Sequence, residues 1–147
     1  MTIEIAPVLT DLPRGFDLLR SEASREGHTH MERLAADWAT GANRFNVAGE
    51  ALLAAFLAKE LAGVGGITID PANPAALRMR RFYVRPAFRR LGIGRCLADA
   101  LLAKAAHVTN LVVLNAVAEQ AVRFWEASGW IPDRHDGHTH LRRWPVN

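Results

Sequence analysis

Val84-Arg-Pro-Ala-Phe-Arg-Arg-Leu-Gly-Ile-Gly-Arg95 is the stretch on which the reading of the whole chain turns. Before it, Leu77–Val84 reads as a strand with interleaved arginines, and Pro86 ends that strand. After it, Ile93, Leu97, Leu101 and Leu102 line one face of a helix running from Gly92 to about Ala106. Gly92 and Gly94 carry no Cβ, so the backbone can approach a ligand closely. The first N–H groups of the helix have no partner inside it, and their partial positive charge suits a diphosphate. On this reading the N–H groups of Arg89, Arg90, Leu91, Gly92, Ile93 and Gly94 form the seat, and the Arg89, Arg90 and Arg95 side chains add charge-assisted bonds. No Gly-Lys-Ser/Thr follows, so this is not a Walker loop. Leu97 stands where a dinucleotide fingerprint needs its third glycine. Taken alone, Arg-x-x-Gly-x-Gly also fits an ordinary strand-to-helix turn with a solvated basic edge.

Working outward, Thr2–Leu9 opens with alternation and predicts a strand. Thr10 or Asp11 is expected to cap a helix starting near Pro13, which Gly27 breaks. Met31, Leu34, Ala35 and Trp38 predict a second helix over Thr29–Thr40. Ala51–Ala58 and Leu61–Asp70 read as strands joined at Lys59-Glu60. Helix stays open for the first on propensity, but Gly63, Gly65 and Gly66 in the second favour a hairpin. Leu111–Val117 is a continuous apolar run, as in a strand buried on both faces. Glu119–Ser128 predicts a short helix stopped by Gly129, and Asp136-Gly137 marks a hairpin between Trp130–Arg134 and Thr139–Trp144. The order is β-α-α-β-β-β-α-β-α-β-β.

With 147 residues, half of them apolar, the chain suits a single domain over residues 1–147 with one real core. A lone cysteine, Cys96, excludes an internal disulfide and fits a reducing cytoplasm. In the first turn or two of the predicted helix, among apolar residues, it reads as a buried structural thiol rather than a nucleophile. No stretch reads as a signal peptide or a membrane span. The net charge of +3 is small for a nucleic-acid binder, but Arg78, Arg80, Arg81, Arg85, Arg89, Arg90 and Arg95 fall within eighteen residues. That patch points to a phosphate-bearing ligand or an acidic substrate.

The turn, the apolar run at 111–117 and Phe124-Trp-Glu-Ala-Ser-Gly-Trp130 together resemble the GNAT superfamily of N-acetyltransferases. Its members share a Q/R-x-x-G-x-G/A turn between strand and helix, and a later short helix ending in aromatic-x-x-x-Gly-aromatic. The likeness covers roughly residues 50–145, and residues 1–48 fit it loosely as a first strand and paired helices. It implies an α/β (α+β) fold with a mixed, mostly antiparallel central sheet of six to seven strands and flanking helices. The implied activity is transfer of an acetyl group from acetyl-CoA to a primary amine of a small molecule or peptide, by direct attack. The alternative is a non-catalytic acyl-CoA-binding sensor on the same fold. The expected partners are that amine acceptor, with neither nucleic acid nor membrane and a homodimer left open.

The resemblance further implies that the backbone of Val84 binds the pantetheine arm like an added strand, and that the backbone N–H of Phe82 polarises the acetyl carbonyl. Three positions depart from the family pattern. Trp125 stands where many members carry a tyrosine acid, and an indole N–H is not an acid. Arg78 stands where some carry a glutamate base. Ala118 replaces a frequent asparagine, for which Asn115 is the candidate substitute.

Other residues keep two readings. Tyr83, the only tyrosine, is either a packed strand residue or the one phenol near the thioester. His135, His138 and His140 share a face of the last hairpin and could converge. Solvated histidines are the plain reading, a zinc site is the sharp one, and His138 as a base lies between. No metal is expected. His28 and His30 have the same double status. Arg78 and Arg80 share a strand face, as a solvated edge or as contacts to an acidic group on the acceptor. Trp38 and Trp125 are candidates for the acceptor cleft and acyl pocket.

Overall fold

A computed structural model describes residues 2–145. The elements are β1 (Ile3–Pro7), α1 (Phe16–Arg25), α2 (His30–Thr40), β2 (Ala51–Leu57), β3 (Glu60–Ile69), β4 (Leu77–Val84), α3 (Ile93–Ala105), β5 (Leu111–Leu114), α4 (Glu119–Ala127), β6 (Ile131–His135) and β7 (His138–Arg143). They form one seven-stranded sheet in the order β1-β2-β3-β4-β5-β7-β6. Every neighbouring pair is antiparallel except β4 and β5. The expected order, strand count and mixed sheet are all present.

Each face of the sheet holds its own core. On one, Ile93, Leu97 and Leu101 of α3 and Trp125 of α4 pack against Leu53, Ala55, Leu57, Met79, Val112 and Leu114. On the other, Leu19 and Ala23 of α1 and Met31, Leu34 and Trp38 of α2 pack against Leu52, Ala54, Val64 and Tyr83. Neighbouring β2 residues therefore enter opposite cores. This is why an alanine- and leucine-rich segment with good helix propensity lies in the sheet: both its faces are buried there, and tertiary burial outweighs propensity. Ile93, Leu97 and Leu101 are at most 1% exposed. At about 1.5–3 kcal/mol for each buried side chain, that stripe fixes where α3 begins.

Several boundaries differ from those read in the sequence. α1 starts at Phe16 behind a left-handed Gly15, with no side-chain cap, so neither Thr10 nor Asp11 acts there. The β2–β3 turn falls at Ala58-Lys59, both left-handed, as a tight hairpin requires. β5 stops at Leu114, three residues before the apolar run ends, and Asn115 and Val117 are exposed.

The glycines of β3 are steric necessities. A Cβ on Gly63 would lie 2.8 Å from the backbone oxygen of Tyr83, and one on Gly65 would lie 2.6 Å from the Phe82 ring. Gly63→Ala must therefore push β4 away from β3. It should lower stability by about 1–3 kcal/mol, read as a fall in the urea midpoint at unchanged m-value. An unshifted midpoint would contradict this packing.

Candidate functional site

Between β4 and α3 the chain makes a single 3-10 turn at Pro86–Phe88, closed by Phe88 N–H to Arg85 O (2.9 Å) and Arg89 N–H to Pro86 O (3.3 Å). Arg90 (φ 65°) and Gly92 (φ 85°) are left-handed and swing the backbone into α3. The helix has no side-chain cap and no acidic residue in its first turn. Its first closing bond is Cys96 N–H to Gly92 O at 3.0 Å. Among the described residues, no acceptor meets the N–H of Arg90, Leu91, Gly92, Ile93, Gly94 or Arg95. Six consecutive donors at the positive end of a helix dipole make an anion seat. Its limits shift by one from the expectation, because the Arg89 amide is used inside the 3-10 turn.

The two glycines do different jobs. A Cβ at Gly92 would meet nothing within 4 Å, so the approach there is open. A Cβ at Gly94 would lie 3.1 Å from Phe124 Cζ, so Gly94 also makes room for a ring of α4.

Beside the seat, β4 has a free edge. β3 pairs with it along its length, but β5 pairs only with Leu77 and Arg78. Arg81 (φ 57°) adds an extra residue to β4, a bulge opposite the Val64–Gly66 step. The bulge resets the alternation. Leu77 and Met79 enter the α3-side core, and so do Phe82 and Val84, whereas Tyr83 enters the α1/α2-side core. Arg85 N–H donates to Ala62 O (2.8 Å). By the antiparallel alternation, the N–H of Val84, one residue earlier, turns toward the open edge.

Ion pairs divide the arginine run. Glu22 of α1 and Glu26, the residue that caps its C-terminus, take Arg85 and Arg89. Arg85 Nε lies 2.7 Å from Glu22, and the Arg89 guanidinium lies 2.9 and 2.5 Å from Glu26. Arg89 Nε also donates to Val84 O (3.1 Å). Arg89 is thus engaged within the protein, unlike the free phosphate ligand its position suggests. Arg90 and Arg95 stay exposed, and among the described residues neither forms an ion pair.

Glu26 also accepts the Tyr83 hydroxyl. The Arg89 guanidinium, with help from that hydroxyl, holds the Glu26 carboxyl down at about 2. Burial first, then the bond to Glu26, pushes the Tyr83 phenol far above its ordinary value. A phenol that holds its proton so tightly and donates it to a carboxylate is not a proton donor near neutral pH.

His30 stands on the far side of Tyr83. Its Nε2 is 3.0 Å from Phe82 O, and a carbonyl can only accept, so Nε2 carries the proton. Among the described residues nothing donates to Nδ1. Burial pulls the imidazole below its ordinary value, with the Phe82 carbonyl opposing. His28 packs edge-on against both His30 (5.4 Å) and Tyr83 (5.8 Å).

The remaining candidates are spread out. Asn115 is exposed at the end of β5. Trp125 is buried with its ring 4.8 Å from that of Phe82, which places it beneath the β4 edge. Trp38 is buried in the α1/α2-side core with the Arg44 guanidinium 5.7 Å over its ring. Arg78 lies half-buried near Gly137.

The hairpin histidines do not converge. His135 meets Asp136 (2.9 Å), His138 meets Asp133 (2.8 Å), and His140 meets Glu126 (2.7 Å). His140 is buried beneath α4, where its Nε2 meets Glu126. Among the described residues, no three His, Cys, Asp or Glu side chains gather as metal ligands, and no helix is long and apolar enough to cross a membrane.

Sequence reasoning overlooked Glu22 and Glu26, although their four-residue spacing matches that of Arg85 and Arg89. His30 left no such signal, since only the tertiary fold brings it to Phe82.

Solved structures share this architecture. A candidate acetyltransferase from Exiguobacterium sp. 255-15 superposes with a TM-score of 0.86 at 26% identity, covering 97% of this chain and 94% of that one. An acetyltransferase from Streptococcus agalactiae gives 0.72 at 16% identity, covering 97% and 98%. The PaiA N-acetyltransferase from Thermoplasma acidophilum, solved in complex with coenzyme A, gives 0.69 at 19%, covering 98% and 100%. A search of curated proteins found no significant match. The profile of the Acetyltransferase (GNAT) family matches residues 12–130, and the chain belongs to that family.

Proposed function

We propose that the protein is an N-acetyltransferase that moves an acetyl group from acetyl-CoA to a primary amine of a small molecule or peptide. One observation carries the reading: six unpartnered amides, Arg90 to Arg95, beside an unpaired β4 edge. A diphosphate fits the amides, with Arg90 and Arg95 adding charge. A pantetheine arm fits the edge at Val84, with Asn115 at the end of β5 across the gap. The single cysteine suits a reducing compartment, here the cytoplasm.

The bound thioester supplies an activated acyl group and a thiolate that leaves readily. The chain supplies position and charge. The N–H of Phe82, just after the bulge, is the donor for negative charge growing on the acyl oxygen. His30 Nδ1 takes the proton that the amine sheds as it attacks. Burial disfavours the imidazolium, so this ring stays neutral and able to accept a proton through pH 7. Tyr83 and His138 have no part in proton transfer, the first because its proton is held by Glu26, the second because Nε2 faces Asp133 and Nδ1 is buried. With no strong acid present, proximity and the leaving ability of thiolate provide the rate.

Release of free thiol from acetyl-CoA across an amine library tests the activity. CoA binding without thiol release on any amine would instead favour an acyl-CoA sensor.

Gly92→Asp puts a carboxylate into the seat at a position where aspartate tolerates the left-handed backbone. Loss of a charge-assisted contact worth about 1.5–3 kcal/mol should raise the Kd for CoA at least about tenfold, with the near-UV circular dichroism unchanged. Undiminished affinity would exclude the seat.

His30→Gln keeps a donor to Phe82 O but cannot take a proton. The wild-type acid limb of kcat should fall below the ordinary imidazole value near 6.5. In the variant the limb should disappear and kcat should drop by about 10²–10⁴. A variant with the wild-type limb and rate would remove His30 from this role.

A further inference from the structure

A cavity of about 310 Å³ lies between the 41–50 loop and the α1/α2-side face of the sheet, lined among others by Asn43, Arg44, Asn46, Thr68 and Arg80. Its polar atoms are short of partners. Arg80 Nε and Thr68 Oγ1 are buried without a hydrogen bond, and so is Nε of the adjacent Arg81. Arg33 and Arg78 add like charge around Arg80, with only Asp37 and Glu50 to oppose them. Both carboxylates are partly committed: Asp37 stands 3.7 Å from Arg81 Nη2, and Glu50 Oε2 accepts from Ile69 N–H at 3.0 Å. Burial first, then like charge from Arg78 on Arg80 and from Arg80 on Arg81, pulls both arginines below their usual value, with Asp37 opposing.

Buried cations are ordinarily paired. An under-paired guanidinium facing a cavity suits an oxyanion from outside, and its fork matches carboxylate and phosphate. Location supplies the second argument. Arg80 stands two residues before Phe82, and with the bulge between them the cavity begins at most about 7 Å along the strand from the expected acyl carbonyl. A short acceptor spans that gap.

We propose that the acceptor is a small amine bearing a carboxylate or phosphate, held at that end by Arg80, and that amines with a second positive charge are rejected. This rests on the acetyltransferase reading only for the role of the amine; the oxyanion site stands on its own geometry.

The test uses one amine frame with the far end varied: β-alanine, aminopropyl phosphate, neutral β-alaninamide and cationic trimethylenediamine. Each is titrated calorimetrically into CoA-saturated protein and assayed for thiol release with acetyl-CoA. One or both anionic members should bind at least about tenfold more tightly than the amide, and the diamine more weakly still. Which anion binds better separates carboxylate from phosphate. Arg80→Gln should bring the series to within about threefold while CoA affinity stays the same, and Arg80→Lys should restore part of the preference. Selective anion binding without thiol release would support this proposal and count against the enzyme reading. Equal binding along the series, preference for the diamine, no binding of any member, or a preference unchanged in Arg80→Gln with CoA affinity intact would overturn it.

Discussion

Backbone amides that the fold leaves unpaired are the constraint on which this structure depends. A chain that folds ordinarily satisfies its N–H groups, and one that begins a helix without a cap leaves donors behind. Here the uncapped start of α3 lies beside a β4 edge that β5 abandons after Arg78. The two unsatisfied backbones meet at one end of the sheet. Buried residues fix both: Ile93, Leu97 and Leu101 hold α3 against the sheet, and Phe82 and Trp125 pack beneath the edge. Left-handed backbone at Arg81 and Arg90, at about 1–2 kcal/mol each, sets the bulge and the reversal. The surrounding packing offsets that strain, which is concentrated where ligand contact is expected.

Charge is allocated with similar economy. Seven clustered arginines would repel one another strongly if all were free. Glu22 of α1 and Glu26 at its C-cap neutralise Arg85 and Arg89, and the same pairs tie α1 to the turn. Arg90 and Arg95 remain exposed beside the amides, while Arg80 and Arg81 face the opposite side of the sheet, where Arg81 meets Asp37 and Arg80 Nε has no partner. The bulge causes this separation. Without the extra residue at Arg81, Phe82 would share the parity of Arg80 and turn away from the α3-side core.

Much of this was legible in the sequence, and the remainder was illegible for physical reasons. The glycine turn, the apolar stripe of α3 and the Asp136-Gly137 hairpin are local signals, and they fix element order and the placement of the seat. The bulge at Arg81 is a property of the β3–β4 register, which no single strand encodes. Asn115 followed by Ala116 and Val117 still reads as strand by composition, yet β5 loses its neighbour before reaching them. Gly94 fits the ligand motif and also clears the Phe124 ring, a contact across thirty residues of chain. The hairpin histidines share a face in an ideal register, but the extra residue of β6 between Pro132 and His135 displaces His135 from it, and each imidazole meets a separate carboxylate.

The most direct measurement of the central claim is a heteronuclear NMR titration that follows every backbone amide as CoA is added, with pantetheine, which lacks the diphosphate, as comparison. The account predicts that the amides of Arg90 to Arg95 shift most with CoA and move little with pantetheine, whose effects centre on Val84. If CoA leaves those six resonances in place, or pantetheine moves them equally, the unpaired amides are not the diphosphate seat and the account is contradicted.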